Sequence, residues 1–361
     1  MYAINPEIIP PVDTVKSVLK KILTENIAAS VLVASTTPYS KLPMPTLFSD
    51  PEKMDGVDPL APASPFNAAR QAAKVINHPV GKKTALVLRP CEIRALIELA
   101  KLNQCVFDDA IIIGIECQGR MENSVYLQKI ETTPDLTKAF IFENQSTDKI
   151  ADTCKSCDNF LPENTDITIC SIGTGTIGFS AQTDTGKAII KQLGLTITDI
   201  PEKKDTEVEL ISAARLAEKK QLFEKTAPLL NQVAEFQTLI ANCLNCYNCR
   251  MACPVCYCKE CVFMTDVFNH PPETLLLRAD KKGALKMPAD TSMFHMTRLS
   301  HIGHACIGCG QCTSVCPADI PVADIFRTVS DNIQELYGYE PGRNISDPIP
   351  QLVLKDQQDL Y

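Results

Sequence analysis

The chain has 361 residues with 43 acidic against 35 basic side chains, a formal charge of −8, 17 cysteines, five histidines and no tryptophan. That length buries a substantial core without disulfide staples, and the acidic balance excludes broad nucleic-acid binding, which needs concentrated positive charge. No apolar run approaches a membrane span, and the opening "MYAINPEIIPPVDTVKSVLKKI" lacks the basic-then-apolar order of a signal peptide. A cytoplasmic, reducing location is therefore expected, where cysteines serve as metal ligands or redox groups rather than crosslinks.

Asp13 is placed to cap a helix running to about Ile27, with Val15, Val18, Leu19, Ile22 and Leu23 on its apolar face. "SVLVAS" reads as a strand, and the proline-rich stretch from Thr36 to Pro65 as a structured surface loop. "NAARQAAKVI" predicts a second helix. Thr84 to Leu88 reads as a buried strand ending at Arg89-Pro90-Cys91, and Glu92 to Leu102 as a helix. A further strand from Ala110 leads to Cys117. This alternation predicts an α/β layer architecture. Functional residues collect in strand-end loops of such folds, which puts Cys91 and Cys117 in one shared site. Ile167 to Ile172 adds a strand before a glycine turn. Glu207 to Ala227 and Leu229 to Leu239 read as helices interrupted near Pro228. A last helix runs to Tyr337, and a tail starts near Pro341.

Cysteine spacing carries the chemistry. Cys243, Cys246, Cys249 and Cys253 are spaced x2, x2, x3 and followed by Pro254; Cys306, Cys309, Cys312 and Cys316 repeat the arrangement before Pro317. Paired arrays of this kind mark two [4Fe–4S] clusters with exchanged fourth ligands. One cluster takes Cys243, Cys246, Cys249 and Cys316, the other Cys306, Cys309, Cys312 and Cys253. Residues 254–305 then form an insertion. Structural zinc, which also uses CxxC pairs, is the competing reading.

Two further cysteine sets are less defined. Cys256, Cys258 and Cys261 can join a fourth ligand in another cluster, supply a zinc ligand, or pack against the neighbouring sites. Cys91, Cys117, Cys154 and Cys157 either converge on a cluster or include buried small hydrophobes. Cys105 and Cys170 read as packed thiols, and neutral packing is the expected role of His270, His295, His301 and His304. Gly173, Gly175 and Gly178 follow a strand, and their loop is either a phosphate cradle or a plain turn.

Together "LVLRPCEIRALIELAKL", "IIIGIEC", the Cys154–Cys157 pair and "SIGTGTIGFSAQTDTGKAI" resemble the beta-subunit family of coenzyme F420 hydrogenases and dehydrogenases, particularly formate dehydrogenase, over roughly Thr84 to Cys261. The resemblance implies a third, proximal [4Fe–4S] cluster on Cys91, Cys117, Cys154 and Cys157. It places FAD near Gly173, Gly175, Thr176 and Gly178, and F420 as a diffusible hydride carrier. Arg94 and Arg120 would meet anionic groups, or else form ordinary ion pairs. The expected fold is an α/β flavin-binding core plus a C-terminal two-cluster ferredoxin-like domain carrying an insertion. Its parts are a core over 1–205, a helical linker over 206–241, the ferredoxin-like domain over 242–340 and a tail over 341–361. A catalytic formate dehydrogenase or hydrogenase subunit is the expected partner. The alternative is an iron–sulfur adaptor for a heterodisulfide-reductase-like, electron-bifurcating complex without F420 chemistry.

Overall fold

The computed structural model describes residues 1–5, 10–142 and 150–350. The chain forms two compact units. The first holds Met1–Leu222, Ile307–Cys309 and the chain from Glu340; the second holds Phe223–Cys306 and Gly310–Tyr339. Of the tail expected from Pro341, positions 351–361 lie outside the described residues.

The first unit is α/β. Its strands are β1 Tyr2–Ile4, β2 Ser30–Thr37, β3 Ser40–Phe48, β4 Thr84–Leu88, β5 Ala110–Ile115, β6 Ile167–Cys170, β7 Gly178–Ala181 and β8 Thr196–Ile197. They form one sheet in the order β3-β2-β4-β5-β6-β7-β1-β8. β2, β4, β5 and β6 run parallel, and the flanking pairings are antiparallel. The central strands are mostly apolar because a parallel strand is covered on both faces, and every residue of β4 is buried. The Pro11–Thr24 helix packs Val15, Leu19 and Ile22 into the core shared with Val31, Ile113 and Phe179.

Three local expectations change. Asp13 does not cap the first helix: the helix starts at Pro11, with Pro10 as its N-cap. Asp13 instead lies in the first turn, where a negative charge suits the helix dipole. The stretch after Thr36 is not all loop, since β3 occupies its first part and pairs with β2 from Val31↔Phe48 to Ser35↔Met44. Pro43 and Pro45 are tolerated there because β3 is an edge strand. A single helix, Lys203–Leu230, spans the interruption foreseen at Pro228. The proline falls in its last turn, so the break comes two residues later, before the Val233–Leu239 helix.

Gly186 opens the Asp184–Gln192 helix against the sheet, where a Cβ would collide with the Asp166 backbone carbonyl. Gly186→Ala is expected to lose about 1–3 kcal/mol of stability through overpacking, read from the denaturant midpoint.

Among the described residues the second unit contains no strand. Short helices, including Asn248–Ala252, Thr291–Ile302 and Val322–Tyr337, are joined by turns. It shares with the expected ferredoxin-like domain the paired arrays rather than a sheet. No helix among the described residues is long and apolar enough to cross a membrane.

Candidate functional site

Three parallel strands of the first unit end side by side, β4 before Arg89, β5 before Glu116 and β6 before Ser171. Strand ends of this kind are where α/β sheets place their chemistry. Cys91 lies in the first turn of the Pro90–Lys101 helix rather than in a loop. The turn is fixed by Glu92, whose carboxylate accepts the Arg89 N–H at 2.8 Å and the Ala68 N–H at 3.1 Å. Cys117 follows β5, its amide donating to the Phe160 carbonyl at 2.9 Å. Cys154 lies in the one-turn Asp152–Lys155 helix, and Cys157 follows it.

These four thiols come close enough to act on one another. Burial pushes Cys91 well up, with Glu92, Cys309, Cys117 and Cys157 adding to the effect. Cys154 is pushed up to about 11 by burial, opposed by Arg120 and reinforced by Cys117 and Cys157. Cys309, in the Ile307–Cys309 segment of this unit, acts on Cys91 through its charge.

Arginines surround the set. Arg89 donates to the Ala61 and Ala63 carbonyls at 2.6 and 2.9 Å. Burial opposes its charge, yet Glu92, Cys117, Cys91 and Cys154 hold it above the ordinary range. Arg215 donates to the Cys117 and Cys157 carbonyls at 3.3 and 3.4 Å and lies 4.7 Å over the Phe160 ring. Sequence reasoning missed both arginines. The adjacency of Arg89 to Pro90-Cys91 was a usable signal; Arg215, in a long polar helix, offered none.

The loop from Ser171 to Ile177 joins β6 to β7. Glu116 accepts the Ser171 and Ile172 amides at 2.9 and 3.0 Å and forms a buried ion pair with Lys204. Gly173 and Gly175 have φ of 64° and 68°, and among the described residues no group accepts the amides of 173–175. Such free N–H groups suit a diphosphate. Thr176 accepts the Thr174 hydroxyl at 2.6 Å through its carbonyl. Gly178 lies within β7, where a Cβ would strike the Tyr2 ring and hydroxyl, a packing reason for glycine independent of any ligand. Arg94 donates to the Pro341 carbonyl at 2.9 Å. Arg120 is buried and bonds the Met121 carbonyl and Glu122, both at 3.3 Å.

In the second unit Cys243, Cys246, Cys249 and Cys316 line one almost wholly apolar cavity with Phe294 and His295. Burial raises Cys243 and Cys249, and Cys316 and Cys246 act on both. His295 Nε2 lies 3.4 Å from Cys243 Sγ, and Arg298 donates to Cys249 Sγ at 3.2 Å. The charges of Cys253 and Cys312 also act on Arg298, and the Cys306 carbonyl accepts from Gln334 at 2.9 Å. Cys256, raised by burial against Arg298 and Arg250, feels both Cys258 and Cys261. Arg250 ties down this loop by donating to the Cys258 carbonyl at 2.8 Å. Cys105 and Cys170 are buried, donating to the Leu96 and Thr168 carbonyls at 3.9 and 3.6 Å, and burial beside Glu116 pushes Cys170 up to about 12.

All 17 cysteines are free thiols. Among the described residues no three His, Cys, Asp or Glu side chains close around a point as ligands of one metal ion must. A cubane presents a different demand, since each thiolate grips its own corner. The donors fit that demand in kind: they are soft thiols, four of them lining one cavity, with buried arginines that suit thiolates nearby.

No family model matches the chain. It is 31% identical to the F420-dependent formate dehydrogenase subunit beta of Methanocaldococcus jannaschii, covering 79% of each chain. It is 29% identical to the F420-dependent formate dehydrogenase 1 subunit beta of Methanococcus maripaludis, covering 74% of each. A solved chain of the F420-reducing [NiFe] hydrogenase complex from Methanosarcina barkeri aligns with a TM-score of 0.43 at 14% identity, over 61% of this chain and 86% of that one. The extent of the first of these matches, like the motifs, assigns the chain to the beta-subunit family of F420-dependent formate dehydrogenases and hydrogenases.

Proposed function

We propose that this chain relays electrons as the beta subunit of a formate dehydrogenase complex, between [4Fe–4S] clusters on its cysteine sets and FAD at the strand ends, with F420 as the exchangeable hydride carrier. The observation carrying the proposal is the gathering of Cys316 with Cys243, Cys246 and Cys249 around one cavity, as ligand exchange between two arrays requires.

When bound, FAD exchanges hydride as an electron pair and the clusters pass electrons singly. The chain's own residues supply the surroundings. Cys243, Cys246, Cys249 and Cys316 hold one cluster; Cys306, Cys309, Cys312 and Cys253 hold the second. Cys91, Cys117, Cys154 and Cys157 hold a proximal third, with Arg89, Arg120 and Arg215 balancing its negative charge. Cys256, Cys258 and Cys261 provide three ligands towards a fourth. The 173–175 amides bind the diphosphate, while Glu116 and Lys204 hold that loop in place.

The proposed core spans 1–205, the linker 206–241, the cluster domain 242–340 with its 254–305 insertion, and the tail 341–361. Formate oxidation belongs to a catalytic partner, with a hydrogenase subunit as the related alternative. The assembly works in the cytoplasm.

Anaerobic purification with the natural partners, followed by iron, sulfide and flavin counting, tests this. F420 reduction is expected only when the formate-oxidising subunit is present. A fully metallated, flavin-free chain would favour the adaptor role in a heterodisulfide-reductase-like complex. Persistent NAD specificity would remove F420 and leave the relay.

A further inference from the structure

Tyr2, in β1, is 4% exposed, and its hydroxyl is buried without a hydrogen-bond partner among the described residues. The ring crosses Gly178, where an added Cβ would strike both ring and hydroxyl. Gly178 pairs with Cys170 in the last rung of the β6–β7 ladder, and the 171–177 loop leaves from that rung. The hydroxyl therefore stands at the foot of the glycine loop, where Cys170 and Glu116 act on it.

Neither neighbour takes its proton. Both oxygens of Glu116 are engaged, one by the Ser171 and Ile172 amides and the other by Lys204. The Cys170 thiol donates to the Thr168 carbonyl at 3.6 Å. A buried donor left unpaired costs stability, and phenylalanine would fill the same space without that cost. The hydroxyl is accounted for if its acceptor arrives with a ligand. Burial, Cys170 and Glu116 push the phenol up to about 12, so at neutral pH it keeps its proton and donates. The loop asks for the same kind of group. Its 173–175 amides are unpaired, and the space a side chain would take at Gly175 is open. Lys204 offsets the charge of Glu116, which would otherwise repel an anion there.

We propose that Tyr2 is a ligand-binding residue whose hydroxyl donates to a phosphate oxygen of bound FAD, acting with the 173–175 amides. A hydrogen bond to an ionised oxygen is the strong kind, which repays the burial of the phenol. This assignment rests on the FAD reading and adds a side chain to a loop that otherwise offers backbone alone.

The test uses the full chain, loaded anaerobically with iron and sulfide and freed of flavin, with binding followed by fluorescence quenching. FAD is the probe, and riboflavin, which lacks phosphate, is the control. Tyr2→Phe is expected to weaken FAD about tenfold and to leave riboflavin unchanged. Without flavin the variant should unfold at the same urea concentration as the wild type or a higher one, because it has lost an unpaired donor. Equal FAD affinity in the two proteins, or an equal loss for riboflavin, would overturn the assignment. So would a flavin-free variant weaker than the wild type, since the hydroxyl would then have a partner within the chain. Fluorotyrosine in place of Tyr2 keeps the hydroxyl and gives a second readout. Its fluorine resonance should move on adding FAD and stay on adding riboflavin; no movement with FAD counts against the contact. A wild-type chain that binds no FAD defeats the FAD reading itself.

Discussion

Serine at Cys316 is expected to remove about four iron atoms per chain, the content of one cubane, and to expose thiols in the distant array rather than its own. Cys316 shares a cavity with Cys243, Cys246 and Cys249, and its charge acts on Cys243 and Cys249. The Ile320 amide also donates to its sulfur at 3.4 Å, holding it in place. Alkylation of the anaerobic variant followed by peptide mass spectrometry should label Cys243, Cys246 and Cys249 while Cys306, Cys309 and Cys312 stay protected. Cys253→Ser should give the reverse pattern. Labelling of Cys306, Cys309 and Cys312 in the Cys316 variant would defeat the crossed ligand assignment and leave each array holding its own cubane.

Lys204→Met should destabilise the first unit by about 3 kcal/mol, the scale for leaving one member of a buried ion pair uncompensated. Its partner Glu116 has a side chain only 3% exposed and also accepts two loop amides. Removing the ammonium thus strands a carboxylate and loosens the chain at 171–172. Urea unfolding measures the loss, and flavin retention during gel filtration should fall with it. Pairing the change with Glu116→Gln removes the stranded charge while keeping an amide acceptor, so most of the stability should return. A double variant as weak as the single one would mean that Lys204 acts through packing, not charge.

The legible parts of this chain were those with short-range signatures. Apart from Thr84, β4 and β5 are unbroken apolar runs, and both lie in the interior of the sheet. The ligand sets proposed for the two arrays rest on spacing, and the structure adds the cavity that Cys316 shares with Cys243, Cys246 and Cys249. β3 escaped because Pro43 and Pro45 argue against a strand unless the strand is known to be an edge, which is a property of the assembled sheet. The Lys203–Leu230 helix escaped division because a proline in a final turn removes few hydrogen bonds. Arg89 and Arg215 became meaningful only once four separated thiols stood beside them. The sequence reads His295 as a packed neutral ring; it is buried, and burial with Arg298 lowers it to about 4. What its sequence context could not disclose was a sulfur from a position 52 residues away.

The placement of β1 has a consequence for biosynthesis. Tyr2–Ile4 lies between β7 and β8, paired with Gly178–Ser180 on one side and Thr196–Ile197 on the other. β1 must therefore wait for strands far further along the chain, a long-range closure of the kind that slows folding. Bulk added beside Tyr2 would crowd that late-closing seam and should lower the yield of folded protein.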